Sequence, residues 1–255
     1  NYLLHTFPFN SSEKMSAFVW KIGDNAILSA KGSPEDILHI CKLTDTEKLT
    51  ITAKQEEFAK KGYSVIAVAY KDLPKDRHHL ASAISKENGH NFIGLYAIND
   101  PPRESITDAV ESCKANGMRL MMITGDNPDT ALTVATSIGL DTTGGIVSGD
   151  EIERLTNSEI AELIEKSNVF ARVSPDTKLR IVNILKAMNK KVCIVGETES
   201  DVKVIKASDV GICIGENPSE YAKEASDIWL ENNSLDEITD TLAFCKKNRS
   251  STLRA

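Results

Sequence analysis

Cysteine is scarce and scattered in this chain. The five residues, Cys41, Cys113, Cys193, Cys213 and Cys245, form no CxxC pair. That spacing argues against a disulfide frame or a zinc site and is expected of reduced thiols in a cytosolic setting. Long apolar runs are also lacking. Stretches such as Val65 to Tyr70 fall far short of the roughly 18 residues that a membrane helix needs. No charged-then-apolar leader opens the sequence, so no secretory signal is expected. Positive charge is not in excess either. The formal net charge is −7, with acids scattered rather than massed, which argues against nucleic acid or an anionic membrane surface as partner. His78-His79 has no third ligand in sight, so it reads as a solvated loop. Internal repeats and low-complexity tracts are absent.

What remains is ordinary for a globular protein: 41% hydrophobic and 26% charged residues in 255 positions, enough for a large core and one or two domains. Two rhythms divide it. Residues 1–98 alternate, with Phe18-Val19-Trp20, the turn Gly23-Asp24-Asn25 and Ala26 to Ala30 reading as a hairpin. Helical stretches follow near Pro34–Cys41 and Thr52–Lys61, then strands at Val65–Tyr70 and Phe92–Ile98. This is a smaller α+β domain of antiparallel character.

Residues 99–255 switch to strand–helix alternation. A helix over Glu104–Asn116 has Ile106, Val110 and Cys113 on one stripe and stops at Gly117. A strand over 118–123, a helix from Pro128 to Ile138, a strand at Val169–Val173 and a helix from Pro175 come next. Strands Val192–Val195, Val210–Ile214 and Ile228–Leu230 and a helix near Leu235–Lys246 complete the set. Strands that are nearly all apolar between helices imply an α/β domain with a Rossmann-type parallel sheet covered on both faces. Sites in such sheets lie at the carboxyl ends of the strands. Thr124-Gly125-Asp126 and Gly196–Asp201 both fall there. Hydroxyl, glycine and carboxylate between a strand and a helix suit phosphate chemistry, because glycine admits close approach and the helix start supplies free N–H groups. The same residues are also common loop and cap chemistry.

Several segments together resemble the cytoplasmic part of the P-type cation-transporting ATPases. Phe7-Pro8-Phe9-Asn10-Ser11 with Lys14-Met15-Ser16 is similar to that family's nucleotide-domain hairpin, and Lys31-Gly32-Ser33-Pro34-Glu35 to its KGAPE motif. Asp100-Pro101-Pro102-Arg103 matches the DPPR hinge. Ile123 to Asn127 with Thr130-Ala131 matches the TGDN segment, and Arg172 to Lys178 the RVxPxxK segment. The order is the family's and covers essentially the whole chain, with KGAPE and DPPR resembling calcium and monovalent-cation pumps.

The resemblance implies a partial nucleotide-binding domain at 1–98 and a haloacid dehalogenase-like phosphorylation domain at 99–255. It implies ATP stacked on Phe9 with Lys31, Gly32 and Lys14 around it; the hairpin is one residue shorter than the usual motif, which shifts the register at Lys14. Residue chemistry alone would make Phe9 hairpin core and Lys31 a solvated strand-end charge. Arg103, Gly125, Asp126 and Arg172 match positions near the nucleotide. Thr124 corresponds to the hydroxyl that binds the transferred phosphoryl group, and Lys178 to the lysine that neutralises it. Asp201 is the retained carboxylate of the TGDGxND loop.

Departures accompany these matches. No DKTGT or DxDGT-like strand lies in the 255 residues, so a phosphorylation domain formed by them lacks its nucleophile and its central strand. The TGDGxND loop reads Val195-Gly196-Glu197-Thr198-Glu199-Ser200-Asp201. Its first aspartate, a Mg²⁺ ligand in the family, is Glu197, and its asparagine is Ser200. Ser64 stands where an arginine is expected. These changes imply that ATP and Mg²⁺ binding is weak or lost and that the chain alone is inactive.

Three readings follow. The first is the ATP-binding and phosphorylation portion of a cation pump, working with an upstream DKTGT segment and a membrane domain on the cytoplasmic side of a membrane. The second is an independent phosphatase of the haloacid dehalogenase class, disfavoured by the same missing aspartate. The third is a catalytically inactive nucleotide- or partner-binding module. The transported ion is not written in these residues.

Overall fold

The computed structural model describes residues 2–10, 13–73, 89–103, 105–231 and 237–240. The chain divides into two compact units, 1–100 and 101–255. The first is a five-stranded antiparallel sheet in sequence order, β1 (Tyr2–Asn10), β2 (Met15–Ile22), β3 (Asn25–Gly32), β4 (Ser64–Leu73) and β5 (Asn91–Ile98). The expected hairpin is present, with Gly23 in the left-handed region at φ 61°, where glycine adds no Cβ clash. Two helices follow β3: α1 (Pro34–Ile40) and α2 (Asp45–Ala59). The second starts well before the expected Thr52. A capping box explains this: the Thr44 hydroxyl accepts from the Glu47 N–H while the Glu47 carboxylate accepts from Thr44.

Period-two alternation decides which face of the sheet is dry. Ala17, Val19, Leu28, Ala30, Ala67 and Ala69 are buried together with Ile37 and Ile40 of α1. Four alanines in that row let the helix sit close to the strands. Leu28 and Ile37 are fully buried, each contributing about 1.5–3 kcal/mol of apolar transfer. The opposite face carries Ser16, Phe18, Trp20, Ser29, Lys31, Val68 and Tyr70, aligned across β2, β3 and β4.

The second unit is α/β with parallel sheets. One sheet has the order β6-β8-β7, from β6 (Met122–Ile123), β7 (Ile146–Ser148) and β8 (Val169–Ala171). The other has the order β9-β10-β11, from β9 (Cys193–Gly196), β10 (Val210–Ile214) and β11 (Ile228–Leu230). The helices are α3 (Ile106–Ala115), α4 (Pro128–Ser137), α5 (Gly149–Ile152), α6 (Asn157–Lys166), α7 (Pro175–Ala187), α8 (Val202–Ala207) and α9 (Glu220–Ala225). Among the described residues β6 and β9 each have one hydrogen-bonded neighbour strand. Helix α7 serves both sheets: Ile181 and Ile184 pack around Phe170, whereas Val182 packs with Val192 and Val204.

The strand expected over 118–123 is only two residues long. Among the described residues, 118–121 find no ladder partner. Arg119 instead donates to the Asn168 side chain and to the carbonyls of Ile164 and Ser167. Residues 237–240 are helical, and the rest of the helix expected near Leu235–Lys246 lies outside the described residues, as do His78-His79, Ser11, Glu104 and Cys245.

Candidate functional site

At one end of the antiparallel sheet, three strand ends converge. Asn10 pairs with Met15, Met15 with Gly32, and Gly32 with Ala67. This register brings the backbone positions of Phe9, Lys14, Lys31 and Gly32 into one neighbourhood. The turn residue Lys14 has φ 46°, and its carbonyl accepts from the Ser33 N–H at 3.0 Å. Gly32 makes this possible, since a Cβ there would lie 2.4 Å from the Lys14 carbonyl oxygen. The rest of the 31–35 segment has local work. Ser33 caps α1 by accepting from the Asp36 N–H, Pro34 occupies the first turn, and Glu35 accepts from Gln55 at 3.0 Å.

Phe9 is 65% exposed, so it is not hairpin core. An aromatic held outside the core at a strand end offers a free ring face for stacking. Lys31 is exposed as well and lies 5.8 Å from the ring centroid of Phe18. Phe18 was not singled out from sequence; the signal for it is its place on the same alternating face as Lys31. Next along the row of Ser16, Lys31 and Val68 comes Gly94 of β5, and a Cβ there would meet only open space. The outcome is a face with an aromatic on β2, a cation on β3 and, at Gly94 of β5, no side chain. Ser64 begins β4.

The second unit gathers its candidates at the carboxyl ends of β6, β8 and β9. The Thr124 carbonyl accepts from Val173 N–H and the Asp126 carbonyl from Arg172 N–H, each at 2.9 Å. Arg172 has φ 52°, a left-handed conformation uncommon for a residue with a side chain. Gly149 packs against it so tightly that a Cβ would lie 2.2 Å from the Arg172 carbonyl oxygen. The Thr124 hydroxyl donates to Asp126 at 2.9 Å, within its own loop rather than toward Lys178. Gly125 has open space where a Cβ would stand. Ser174 caps α7, and Lys178 projects from the turn that follows. Arg103 is exposed before α3, its carbonyl accepting from Ile106, and no described hydrogen bond joins its side chain to the other candidates.

Lys178 and Asp201 meet directly. The Lys178 ammonium donates to Asp201 Oδ1 at 2.7 Å, with the two side chains 24% and 12% exposed. Asp201 Oδ2 accepts from Thr198 Oγ1 at 2.8 Å, Thr198 N–H at 3.1 Å and Glu197 N–H at 3.3 Å. Burial pushes the Asp201 carboxyl up, but the Lys178 ammonium and the two Thr198 donors outweigh it and hold it below the usual aspartate range.

At the Asp201 carboxylate a Mg²⁺ ion fits poorly. It asks for oxygens with outward lone pairs in near-octahedral array, whereas the Asp201 oxygens face N–H, O–H and ammonium donors. Among the described residues no group of three or more His, Cys, Asp or Glu side chains is placed to hold a metal. Glu197 is exposed beside Gly215, and its carbonyl accepts from Ser219 N–H.

Comparison with known proteins gives this geometry a context. Residues 1–105 match the family model described as P-type ATPase, cytoplasmic domain N. The chain is 31% identical over 252 residues to the calcium-transporting ATPase 1 of Lactococcus lactis, covering 94% of this chain and 28% of that protein. It is 31% identical over 261 residues to the endoplasmic reticulum calcium ATPase srcA of Aspergillus fumigatus, covering 93% and 27% respectively. Against the sodium/potassium exporting P-type ATPase cta3 of Schizosaccharomyces pombe it is 30% identical over 260 residues, covering 95% and 25%. The chain thus spans about a quarter of the length of the curated relatives it matches. Among the described residues no helix is long and apolar enough to cross a membrane.

Proposed function

The chain belongs to the P-type cation-transporting ATPases, and on that premise we propose that it is the ATP-binding and phosphorylation portion of a cation pump. The convergence of Phe9, Lys14, Lys31 and Gly32 at one end of an open sheet face carries this reading. Adenine would stack on the exposed Phe9 ring, and the mobile Lys31 and Lys14 ammonium groups would meet the phosphates. Ser64 supplies no cation, so binding would be weak.

In the second unit the proposed role is a haloacid dehalogenase-like phosphorylation site. Thr124 would hold a phosphoryl oxygen and Lys178 would neutralise it, with Gly125, Asp126, Arg172 and Arg103 as further candidate binding residues of this unit. A strand carrying the acceptor aspartate, supplied from outside these 255 residues, would lie between β6 and β9. The single-sided pairing of those strands and the double allegiance of α7 support that placement. Membrane segments elsewhere would select the calcium or monovalent cation, leaving this portion on the cytoplasmic side.

A second reading, a catalytically silent nucleotide- or partner-binding module, draws on the loop at 197–201. Asp201 is taken up by donors within the chain, and Glu197 and Ser200 differ from the family's motif. The two readings separate in a protein completed with an aspartate-bearing segment and exposed to γ-labelled ATP and Mg²⁺. After acid quench, the unaltered loop should give at least about tenfold less hydroxylamine-sensitive label than a Glu197→Asp, Ser200→Asn version. Equal, high labelling of both would overturn the altered-loop account. No label in either would overturn the phosphorylation role.

A further inference from the structure

We infer that Thr198 is the positioning residue that holds Asp201 against Lys178, so that hydrogen bonds within the chain rather than a divalent cation set the shape of the 197–201 loop. The inference rests on the proposed function only for the loop's place at a phosphoryl site. Its own support is geometric.

Thr198 addresses Asp201 Oδ2 twice, through its hydroxyl at 2.8 Å and its N–H at 3.1 Å. The Thr198 hydroxyl also lies 2.7 Å from Ser200 Oγ. Ser200 can therefore give its proton to Thr198, leaving the Thr198 proton for the carboxylate. Asp201 N–H returns the contact to the Thr198 carbonyl at 3.0 Å. Behind the carboxylate, Gly196 packs so closely that a Cβ would lie 2.7 Å from the Asp201 Cβ. The side chain is thus wedged from one side, held by Thr198 from another and aimed at Lys178.

A carboxylate offers about four lone-pair sites. Here Oδ2 meets three donors and Oδ1 meets the Lys178 ammonium. Donor hydrogens and a cation repel a second cation at the same oxygens. The family's motif has glycine at this position, which has no hydroxyl to offer, so the device belongs to this chain's own loop.

The test follows hydrogen exchange in the full ¹⁵N-labelled chain. The amides of Glu197 and Thr198 and the Lys178 ammonium are observed without and with millimolar MgCl₂. Expected in the unaltered protein is protection of both amides that Mg²⁺ leaves unchanged. Thr198→Val should reduce that protection by at least about tenfold, as loss of a hydrogen bond to a charged group implies, and should move the Lys178 ammonium resonance. Thr198→Ser should restore both. The amides of Val173 and Gly211, bonded elsewhere in the unit, report whether the fold survives. Unchanged protection in a folded Thr198→Val would overturn the inference. If that variant fails to fold, Thr198→Ala takes its place with the same two outcomes, and in the unaltered protein protection that rises severalfold on adding MgCl₂ overturns the inference. Neither result depends on whether the completed protein is phosphorylated.

Discussion

Gly32 and Lys14 are packed backbone to backbone: a methyl group on Gly32 would lie 2.4 Å from the Lys14 carbonyl oxygen and 2.7 Å from the Met15 Cβ. Neither neighbour is the movable end of a side chain. Gly32→Ala should therefore push β2 and β3 apart at the turn and destabilise the first unit by about 1–3 kcal/mol. Urea unfolding followed by Trp20 fluorescence in a Trp229→Phe background checks it. A midpoint unchanged from the parent protein would show that the hairpin end yields.

Gly149 and Gly125 should part company in the same experiment on the second unit. Gly149→Ala collides with the Arg172 carbonyl oxygen at 2.2 Å and should cost about 1–3 kcal/mol. It should also speed exchange of the Arg172 amide, which is bonded to the Asp126 carbonyl. Gly125→Ala meets nothing within 4 Å and should stay within about 0.5 kcal/mol of the parent. A large loss at Gly125 with none at Gly149 would invert the expected roles.

Acid should weaken the second unit through Asp201. Its folded pKa is held below the ordinary aspartate value of 3.8. The resulting stabilisation is fully present above that value and drains away as pH falls through the lower folded value. Asp201→Asn leaves the half-buried Lys178 ammonium without its carboxylate, a loss of about 2 kcal/mol at neutral pH. The variant should also lose the steep part of the stability profile below about pH 4. Parallel profiles for the two proteins would show that the pair contributes nothing.

Much of this architecture was legible because strand and helix periods differ. Alternation marked β2 to β5, and apolar strands between helices marked the parallel part. Five elements of the second unit, β7, α5, α8, α9 and α6, escaped notice. The first four are short, but α6 carries a capping box at Thr156 and Glu159 that its sequence spells out. The strand at 118–123 was overdrawn because pattern cannot tell whether a partner strand exists. The Lys178–Asp201 pair joins residues far apart in sequence, so residue chemistry could name both without joining them. Phe18 and the Thr198 hydroxyl became meaningful only once strand register and loop geometry were known.

Binding of adenine nucleotide to the open sheet face of the first unit is read from an ATP titration of the ¹⁵N-labelled chain. Saturable shifts should appear at Phe9, Lys14, Lys31 and Gly32, with an affinity on the order of millimolar, about −4 kcal/mol. Lys31→Ala should weaken it severalfold, since that residue supplies an exposed cation on the face. Shifts confined to the surroundings of Thr124, or no saturable shift at all, would contradict such binding.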